Sequence, residues 1–98
     1  MKGATFNRLA ERELAEAVEF YEGARLGLGE EFLDVMYQAV LFLGRYPEAA
    51  PRVGRKTRCF VLSRFPFSLI YRPLGSGRIR ILAVAHQKRR PRYWVGRD

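Results

Sequence analysis

The only histidine of the chain stands beside cations that could assist phosphoryl chemistry. His86 ends a strand-like segment and is followed closely by Lys88 and Arg89. An imidazole can act as general acid or base near neutral pH, and neighbouring cations stabilise the charge of a phosphorane. These three residues therefore form a candidate site for RNA cleavage. The alternative, which we favour, is a strand-end histidine that is hydrogen-bonded to the backbone.

The segment Lys88–Trp94 (KRRPRYW) interleaves basic and aromatic residues. Cations contact phosphates and aromatic rings stack on bases, so the segment could bind nucleic acid. Alternatively, Tyr93 and Trp94 pack on a sheet while the arginines are only solvated. We expect packing for Trp94 and an interaction role for the arginines. A further cation, Arg64, lies in a short connection between two predicted strands.

No strong catalytic motif occurs elsewhere. Residues 75–78 form a tight turn and lack the Gly-Lys-Ser/Thr end of a phosphate-binding loop. The chain has one histidine, His86, and one cysteine, Cys59, so it offers no pair with metal-ligand spacing and no disulfide within the chain. The acidic residues of the first helix are spaced like a solvated surface and not like a catalytic pair. We expect no metal, no cofactor and no catalytic residue, apart from the alternative site at His86.

Charge is divided unequally between the two halves of the chain. Residues 1–50 contain five Lys/Arg and nine Asp/Glu, a net charge of −4, whereas residues 51–98 contain 13 and one, a net charge of +12. Such a field attracts polyanions, either nucleic acid or an acidic protein. The 98 residues suit a single domain, 1–98. No apolar stretch is longer than Ile81–Ala85, which is too short to cross a membrane, so we expect a soluble protein with no membrane partner. The single cysteine fits the reducing cytoplasm, where we expect the protein to act.

Two amphipathic helices are predicted in the acidic half. Apolar residues recur at helical spacing over residues 10–21, preceded by Asn7 as N-cap, and again over residues 32–46. A glycine-rich stretch over residues 23–29 breaks the pattern between them, and Pro47 ends the second helix. A short connection between two such helices predicts an antiparallel αα-hairpin.

The basic half is predicted to form strands at residues 57–62, 67–72 and 78–86, with a hairpin turn at residues 74–77. A short strand over residues 2–6 is expected to join the same sheet. Helices and strands in separate runs predict an α+β fold, in which an N-terminal αα-hairpin packs on one face of a small antiparallel β-sheet and a basic C-terminal segment follows.

The last strand should present two different faces, because side chains alternate along a strand. We expect the first face to meet the helices and the second, mixed face to be basic at its ends. The first face contains Ile79, Ile81, Ala83 and Ala85, and the second contains Arg78, Arg80, Leu82, Val84 and His86.

An ordered series of short motifs runs through the whole chain. They are Glu13-Leu14, Tyr21-Glu22, Gly27–Gly29, Tyr46-Pro47, Arg64–Phe67 (RFPF), Ile70–Arg72 (IYR) and Ile81–His86 followed by Arg89, Pro91, Tyr93 and Trp94. This series resembles the RelE/ParE toxin superfamily, and most of all its ParE-type, plasmid-stabilisation branch. The resemblance implies an αα-hairpin on an antiparallel sheet. It also implies a toxin of a type II toxin–antitoxin module, neutralised by a small antitoxin whose C-terminal segment wraps the toxin.

The resemblance also bears on the cellular target. RelE-type members cleave messenger RNA on the ribosome with lysines, arginines and a late tyrosine, whereas ParE-type members inhibit DNA gyrase by binding it. At the positions of the ribonuclease residues this chain has Cys59, Val61, Ser68, Lys88 and Trp94. Only the charge at Lys88 is kept, and cleavage needs groups that move protons and stabilise phosphorane charge. The resemblance therefore implies a ParE-like inhibitor of DNA gyrase.

The residues expected to contact the target or the antitoxin are Arg64, Arg72, Arg89, Arg90 and Trp94. The basic half predicts an antitoxin with an acidic or amphipathic C-terminal segment that lies on the sheet. Many relatives have acidic residues where Arg90 and Arg92 stand, so either the target surface is more acidic here or nucleic acid is part of the target.

Two other functions stay open. One is a RelE-like, ribosome-dependent mRNA endoribonuclease that uses His86 with Lys88 and Arg89, since some related ribonucleases use a C-terminal histidine. The other is a basic interaction protein that is not toxic.

Overall fold

Two helices lie on one face of a four-stranded sheet in the computed structural model, which describes residues 3–97. The elements are β1 (Ala4–Phe6), α1 (Arg8–Ala24), α2 (Leu28–Arg45), β2 (Arg58–Val61), β3 (Phe67–Gly75) and β4 (Arg78–His86). The strand order is β1-β4-β3-β2. β1 runs parallel to β4, and the other pairs are antiparallel. The predicted α+β fold is confirmed, with a sheet that is antiparallel except at β1. Lys2 of the predicted first strand lies outside the described residues.

Glycines decide how closely the two helices approach. The connection is shorter than the predicted glycine-rich break, because Gly23 stays in α1 and Gly29 lies in α2. Gly27 has a φ of +88°, and the Glu22 carboxylate accepts hydrogen bonds from the N–H groups of Gly27 and Gly29 at 2.9 and 3.0 Å. A Cβ on Gly29 would lie 2.6 Å from the carbonyl oxygen of Val18. The helices are therefore in backbone contact at this point.

The predicted apolar stripes of both helices pack in the core against the sheet, except that Tyr46, the last residue of the second stripe, is 53% exposed. At the N-terminus of α1, the predicted cap is confirmed, since Leu9 N–H donates to Asn7 Oδ1 at 2.8 Å.

Four rings form the centre of one end of the core, with centroids 4.9–6.2 Å apart. They are Tyr21, Phe32, Phe65 and Phe67. Such tilted and edge-to-face pairs add to the stability that area burial gives.

A β-bulge interrupts β4 near its middle. Ile70 pairs with Ala83 and Tyr71 pairs with Ile81, so Leu82 is the extra residue. An inserted residue shifts the side-chain alternation of everything that follows it.

Leu82 lies on the predicted second face, but the bulge makes the predicted faces of β4 wrong from Ala83 onward. Ile79 and Ile81 lie in the core beneath the helices, as expected. After the bulge, Val84 joins this core, whereas Ala83 and Ala85 belong to a second cluster on the opposite face of the sheet. Strict period-two alternation holds only while each residue opposes one partner.

No helix within residues 3–97 is long and apolar enough to span a membrane.

Candidate functional site

The tail, residues 87–97, folds over the face of the sheet opposite the helices. It advances through tight turns, in which Tyr93 N–H donates to the Arg90 carbonyl at 3.3 Å and Arg97 N–H donates to the Trp94 carbonyl at 3.1 Å. Trp94 is only 8% exposed. It packs in a cluster with Ile70, Leu82, Ala83 and Ala85. The expected packing of Trp94 is confirmed, and the middle of this sheet face is covered by the chain's own tail.

One carboxylate, that of Glu13 in α1, holds the tail to the bulge. Arg97 forms a bidentate pair with it, from Nη1 to Oε1 at 2.9 Å and from Nη2 to Oε2 at 3.0 Å, and both side chains are 12% exposed. Tyr93 Oη donates to Oε2 at 2.8 Å, and Val84 N–H donates to Oε1 at 3.0 Å. Arg97 Nη1 also donates to the carbonyl of Leu82 at 3.2 Å. Backbone groups freed by the bulge are thus satisfied by this pair.

The contacts with Glu13 also raise the pKa values of Tyr93 and Arg97. Burial, followed by the hydrogen bond to Glu13, raises the pKa of Tyr93 to about 12. The hydrogen bond to Glu13 raises the pKa of Arg97 above its ordinary value. The prediction that the acidic residues of the first helix form a solvated surface is therefore wrong for Glu13. Its partners are 71 to 84 residues away in sequence, so its own surroundings in the chain gave no signal of this role.

His86 lies in a pocket of about 360 Å³ between α1 and the end of β4. Its Nδ1 accepts a hydrogen bond from Lys88 N–H at 3.0 Å, which confirms the backbone-bonded alternative. Its ring meets Phe67 edge to face, with centroids 5.0 Å apart. The pocket is lined by Glu13, Glu16, Ala17, Phe20, Tyr21, Phe67, Val84, His86 and Arg89.

His86 and Arg89 line the same pocket, but acidic side chains line it as well. Arg89 stacks over the Tyr93 ring, with Cζ 3.9 Å from the centroid, and its Nη1 lies 4.0 Å from Glu13 Oε2. Glu13, which is paired with Arg97, and Glu16 both line the pocket, and the charge of the Glu16 carboxylate opposes a phosphodiester. Lys88 is exposed on the turn that follows β4 and is not among the lining residues.

Arg64 lies at a different place, at the start of α2. Its Nη2 is 2.6 Å from Glu31 Oε1, and Arg25 approaches Oε2 of the same carboxylate at 3.3 Å. The hydrogen bond from Arg64 is the largest cause that lowers the pKa of Glu31. Arg64 also lies over the Phe65 ring, 5.1 Å from its centroid. The β2–β3 connection is thereby tied to the helical hairpin.

An apolar groove of about 410 Å³ runs between α2 and the edge strand β2. Phe42 and Phe60 form part of its wall, and Val61 is 57% exposed. Charged groups of both signs lie at its margin, among them Glu31, Asp34 and Arg64.

A third depression, the basic cleft, lies on the tail side of the sheet. Its volume is about 390 Å³, and both Arg72 and Trp94 line it. It is lined by Gly54, Arg55, Lys56, Thr57, Arg72, Leu82, Arg92, Trp94, Val95, Gly96 and Arg97. Of the expected contact residues, only Arg72 and Trp94 share this cleft, while Arg90 is exposed on the tail. Sequence reasoning missed Arg55 and Lys56, although four cations between residues 52 and 58 were a visible signal.

Within residues 3–97, no three His, Cys, Asp or Glu side chains are grouped so that they could hold a metal ion.

Comparison with known proteins defines the class. A solved chain described as "Chromosomal ParDE TA system from P. aeruginosa" matches with a TM-score of 0.66 and 22% identity, over 88% of this chain and 96% of that chain. The likeness shows a shared fold. No curated protein matches. The family model described as "ParE toxin of type II toxin-antitoxin system, parDE" matches residues 4–91. The chain therefore belongs to the ParE toxin family of type II toxin–antitoxin systems.

Proposed function

We propose that this toxin inhibits DNA gyrase by binding it, with no covalent step, and that a cognate antitoxin neutralises it. The observation that carries the proposal is membership of the ParE family over residues 4–91. Inhibition by binding requires a complementary surface and no catalytic group. The proposal implies that the protein acts in the cytoplasm, where gyrase meets the chromosome.

The surroundings of His86 support binding over RNA cleavage. Its Nδ1 already accepts the Lys88 N–H, and Glu13 and Glu16 share its pocket. A cleaving site would gather cations around the scissile phosphate, because they stabilise the charge that develops there. Here one guanidinium, that of Arg89, lines the pocket together with two carboxylates.

For the antitoxin we propose the apolar groove between α2 and β2. The sequence predicts an acidic or amphipathic antitoxin segment on the sheet, but the middle of the tail-side face is covered by Trp94. The groove offers exposed apolar surface at Phe42 and Val61 beside the Arg64 guanidinium. An amphipathic segment buries apolar side chains in such a groove and directs its charged residues to the rim.

The central test is a supercoiling assay with purified gyrase, ATP and relaxed plasmid. We expect stoichiometric toxin to stop supercoiling and the antitoxin to restore it. Val61→Asp should weaken antitoxin capture strongly, since it places a charge in the apolar groove, while the exposed substitution Val95→Asp serves as control. Supercoiling that continues at stoichiometric excess of folded toxin would exclude the gyrase assignment.

A ribosome-dependent ribonuclease is the second candidate, because His86 and Arg89 do line one pocket. In a translation extract it would produce new 5′ ends within messages, and His86→Ala would remove them. Unimpaired growth of cells that overproduce the protein without antitoxin would contradict both toxin mechanisms and favour a non-toxic interaction protein.

A further inference from the structure

One wall of the basic cleft is a hydrogen-bonded turn that presents two cations. Val53 N–H donates to the carbonyl of Thr57 at 2.9 Å and closes the turn. A Cβ on Gly54 would lie 2.4 Å from Thr57 Oγ1, so the turn is closed tightly around a glycine. Arg55 and Lys56 are exposed at its tip. The hydrogen bond that closes the turn constrains the backbone beneath them, and such a constraint lowers the entropic cost of binding.

The tail forms the other wall and is joined to the turn. Arg92 Nη1 donates to the carbonyl of Val53 at 2.8 Å, and its Cζ lies 5.6 Å from the centre of the Trp94 ring. A guanidinium has five N–H donors, so this bond leaves Arg92 with capacity for a phosphate. The buried Trp94 fixes the segment that carries this cation.

The charge of the cleft has one sign among the described residues. Residues 3–97 contribute five cationic side chains to its lining and no carboxylate. Arg97 is paired with Glu13. Arg55, Lys56 and Arg72 also line an adjoining depression, together with Arg52 and Arg58. Among the described residues that line this adjoining depression, Glu48 is the one acidic residue. The two depressions thus form a continuous basic track.

The apolar content of the cleft argues for a phosphate ligand and against a protein. Protein interfaces depend on exposed aromatic or aliphatic anchors at their centre. Here Trp94 and Leu82 are only 8% and 2% exposed, so the described lining offers one exposed apolar side chain, Val95 at 56%, and no aromatic anchor. The cations are mainly arginines, whose planar donors match phosphate oxygens in pairs.

We propose that the basic cleft binds the phosphodiester backbone of nucleic acid, without reading base sequence. This goes beyond gyrase inhibition, and it is measured on the toxin alone, so that failure of one proposal leaves the other standing. Backbone binding of this kind is governed by release of counterions and is strongly salt-dependent.

The test measures the fluorescence anisotropy of labelled oligonucleotides of about 20 nucleotides as the full-length protein is added, in about 50 to 300 mM KCl. Single-stranded DNA, duplex DNA and RNA of one mixed sequence form separate arms. With about four phosphate contacts, the logarithm of the affinity for a single strand should fall against the logarithm of salt with a slope of about −3. Changing the sequence at constant length should leave the affinity within about threefold.

A charge-matched pair of variants locates the site. Arg55→Glu with Lys56→Glu should weaken binding at least tenfold, about 1.4 kcal/mol, and make the salt slope shallower by about 1.4. Arg8→Glu with Arg12→Glu changes the net charge equally on the exposed side of α1 and should weaken binding less than threefold. Thermal melts of both variants check that they are folded.

Three results would overturn the proposal. One is the absence of salt-dependent binding in every nucleic-acid arm. Another is equal weakening by the two charge-matched variants, which would mean attraction by net charge alone. The third is displacement of the oligonucleotide by polyglutamate at equal charge concentration, which would indicate an acidic protein as the occupant.

Discussion

The two sides of β4 differ in what they offer a partner. On the helix side, the His86 pocket combines aromatic rings, one guanidinium and two carboxylates. On the tail side, the basic cleft holds five cations and, among the residues described, no carboxylate. Both sites use the same strand, yet one is electrostatically mixed and the other has a single sign. The charge asymmetry between the halves of the sequence becomes an asymmetry between faces because the helices and the tail cover opposite sides of the sheet.

Glu13 is where the two sides meet. It belongs to the acidic helix, but it contacts Tyr93 and Arg97 of the basic tail and the bulge in β4. The difference between the two sides therefore depends on one carboxylate that keeps the tail in place.

The largest effect is expected from removing the cover of the tail-side face. Trp94→Ala should lower the free energy of unfolding by about 3–5 kcal/mol, because it opens a cavity over the sheet. The neighbouring Val95→Ala, at a 56% exposed side chain, should change it by less than about 0.5 kcal/mol. Urea unfolding of both variants measures this. Equal effects would mean that the tail does not cover the face as described.

Removing the Glu13 carboxylate, which joins the two sides, should destabilise the protein nearly as much. Glu13→Ala should cost about 3 kcal/mol, since Arg97, Tyr93 and the amide of Val84 lose their shared acceptor. Glu16→Ala, one turn away on the exposed surface of α1, is the matched control and should cost less than about 0.5 kcal/mol. Urea unfolding compares the two, and hydrogen exchange at Val84 should quicken only in the Glu13 variant.

A smaller, pH-dependent effect should come from Tyr93. Its pKa in the folded protein is about 12, above the ordinary value of 10.0, so the unfolded chain loses this proton first. Stability contributed by the neutral phenol is complete below pH 10 and decreases as the pH rises toward 12, by about 1–2 kcal/mol after allowance for partial exposure. The difference between the wild-type protein and Tyr93→Phe, measured at several pH values, isolates this group from Tyr21 and Tyr71. A difference that stays constant through this interval would contradict the role of burial.

The smallest effect concerns Glu31 and Arg64, at the margin of the apolar groove. The pKa of Glu31 is lowered in the folded protein, so the stabilising contact is present above the ordinary carboxyl pKa and is lost as the pH falls through the folded value. In Arg64→Ala the pKa of Glu31 should rise toward its ordinary range. A carboxyl titration followed by NMR measures it, and an unchanged pKa would mean that the pair is absent in solution.

Local patterns predicted most of the architecture. Helical spacing and the Asn7 cap located α1, and the alternation of Phe67, Leu69 and Tyr71 located β3 with its buried face. Predictions failed where the local structure depends on contacts with residues that are distant in sequence. The bulge at Leu82 moved Ala83 and Ala85 to the tail side, and only the register against β3 reveals it. The sequence also did not indicate where the expected contact residues lie relative to one another: Arg64, Arg72 and Arg89 line three separate depressions, and their role in binding stays a prediction.

By itself, the sequence determined where the chain forms helices and strands and which half carries the positive charge, because these properties depend on neighbouring residues. The tertiary structure alone decided which charges stay available to a partner. Glu13 holds Arg97 in a bidentate pair, and Glu31 contacts Arg64 through one carboxylate oxygen, while the turn at Gly54 leaves Arg55 and Lys56 exposed. Such pairings join residues 33 to 84 positions apart, and a distance of that kind is set only when the chain has folded.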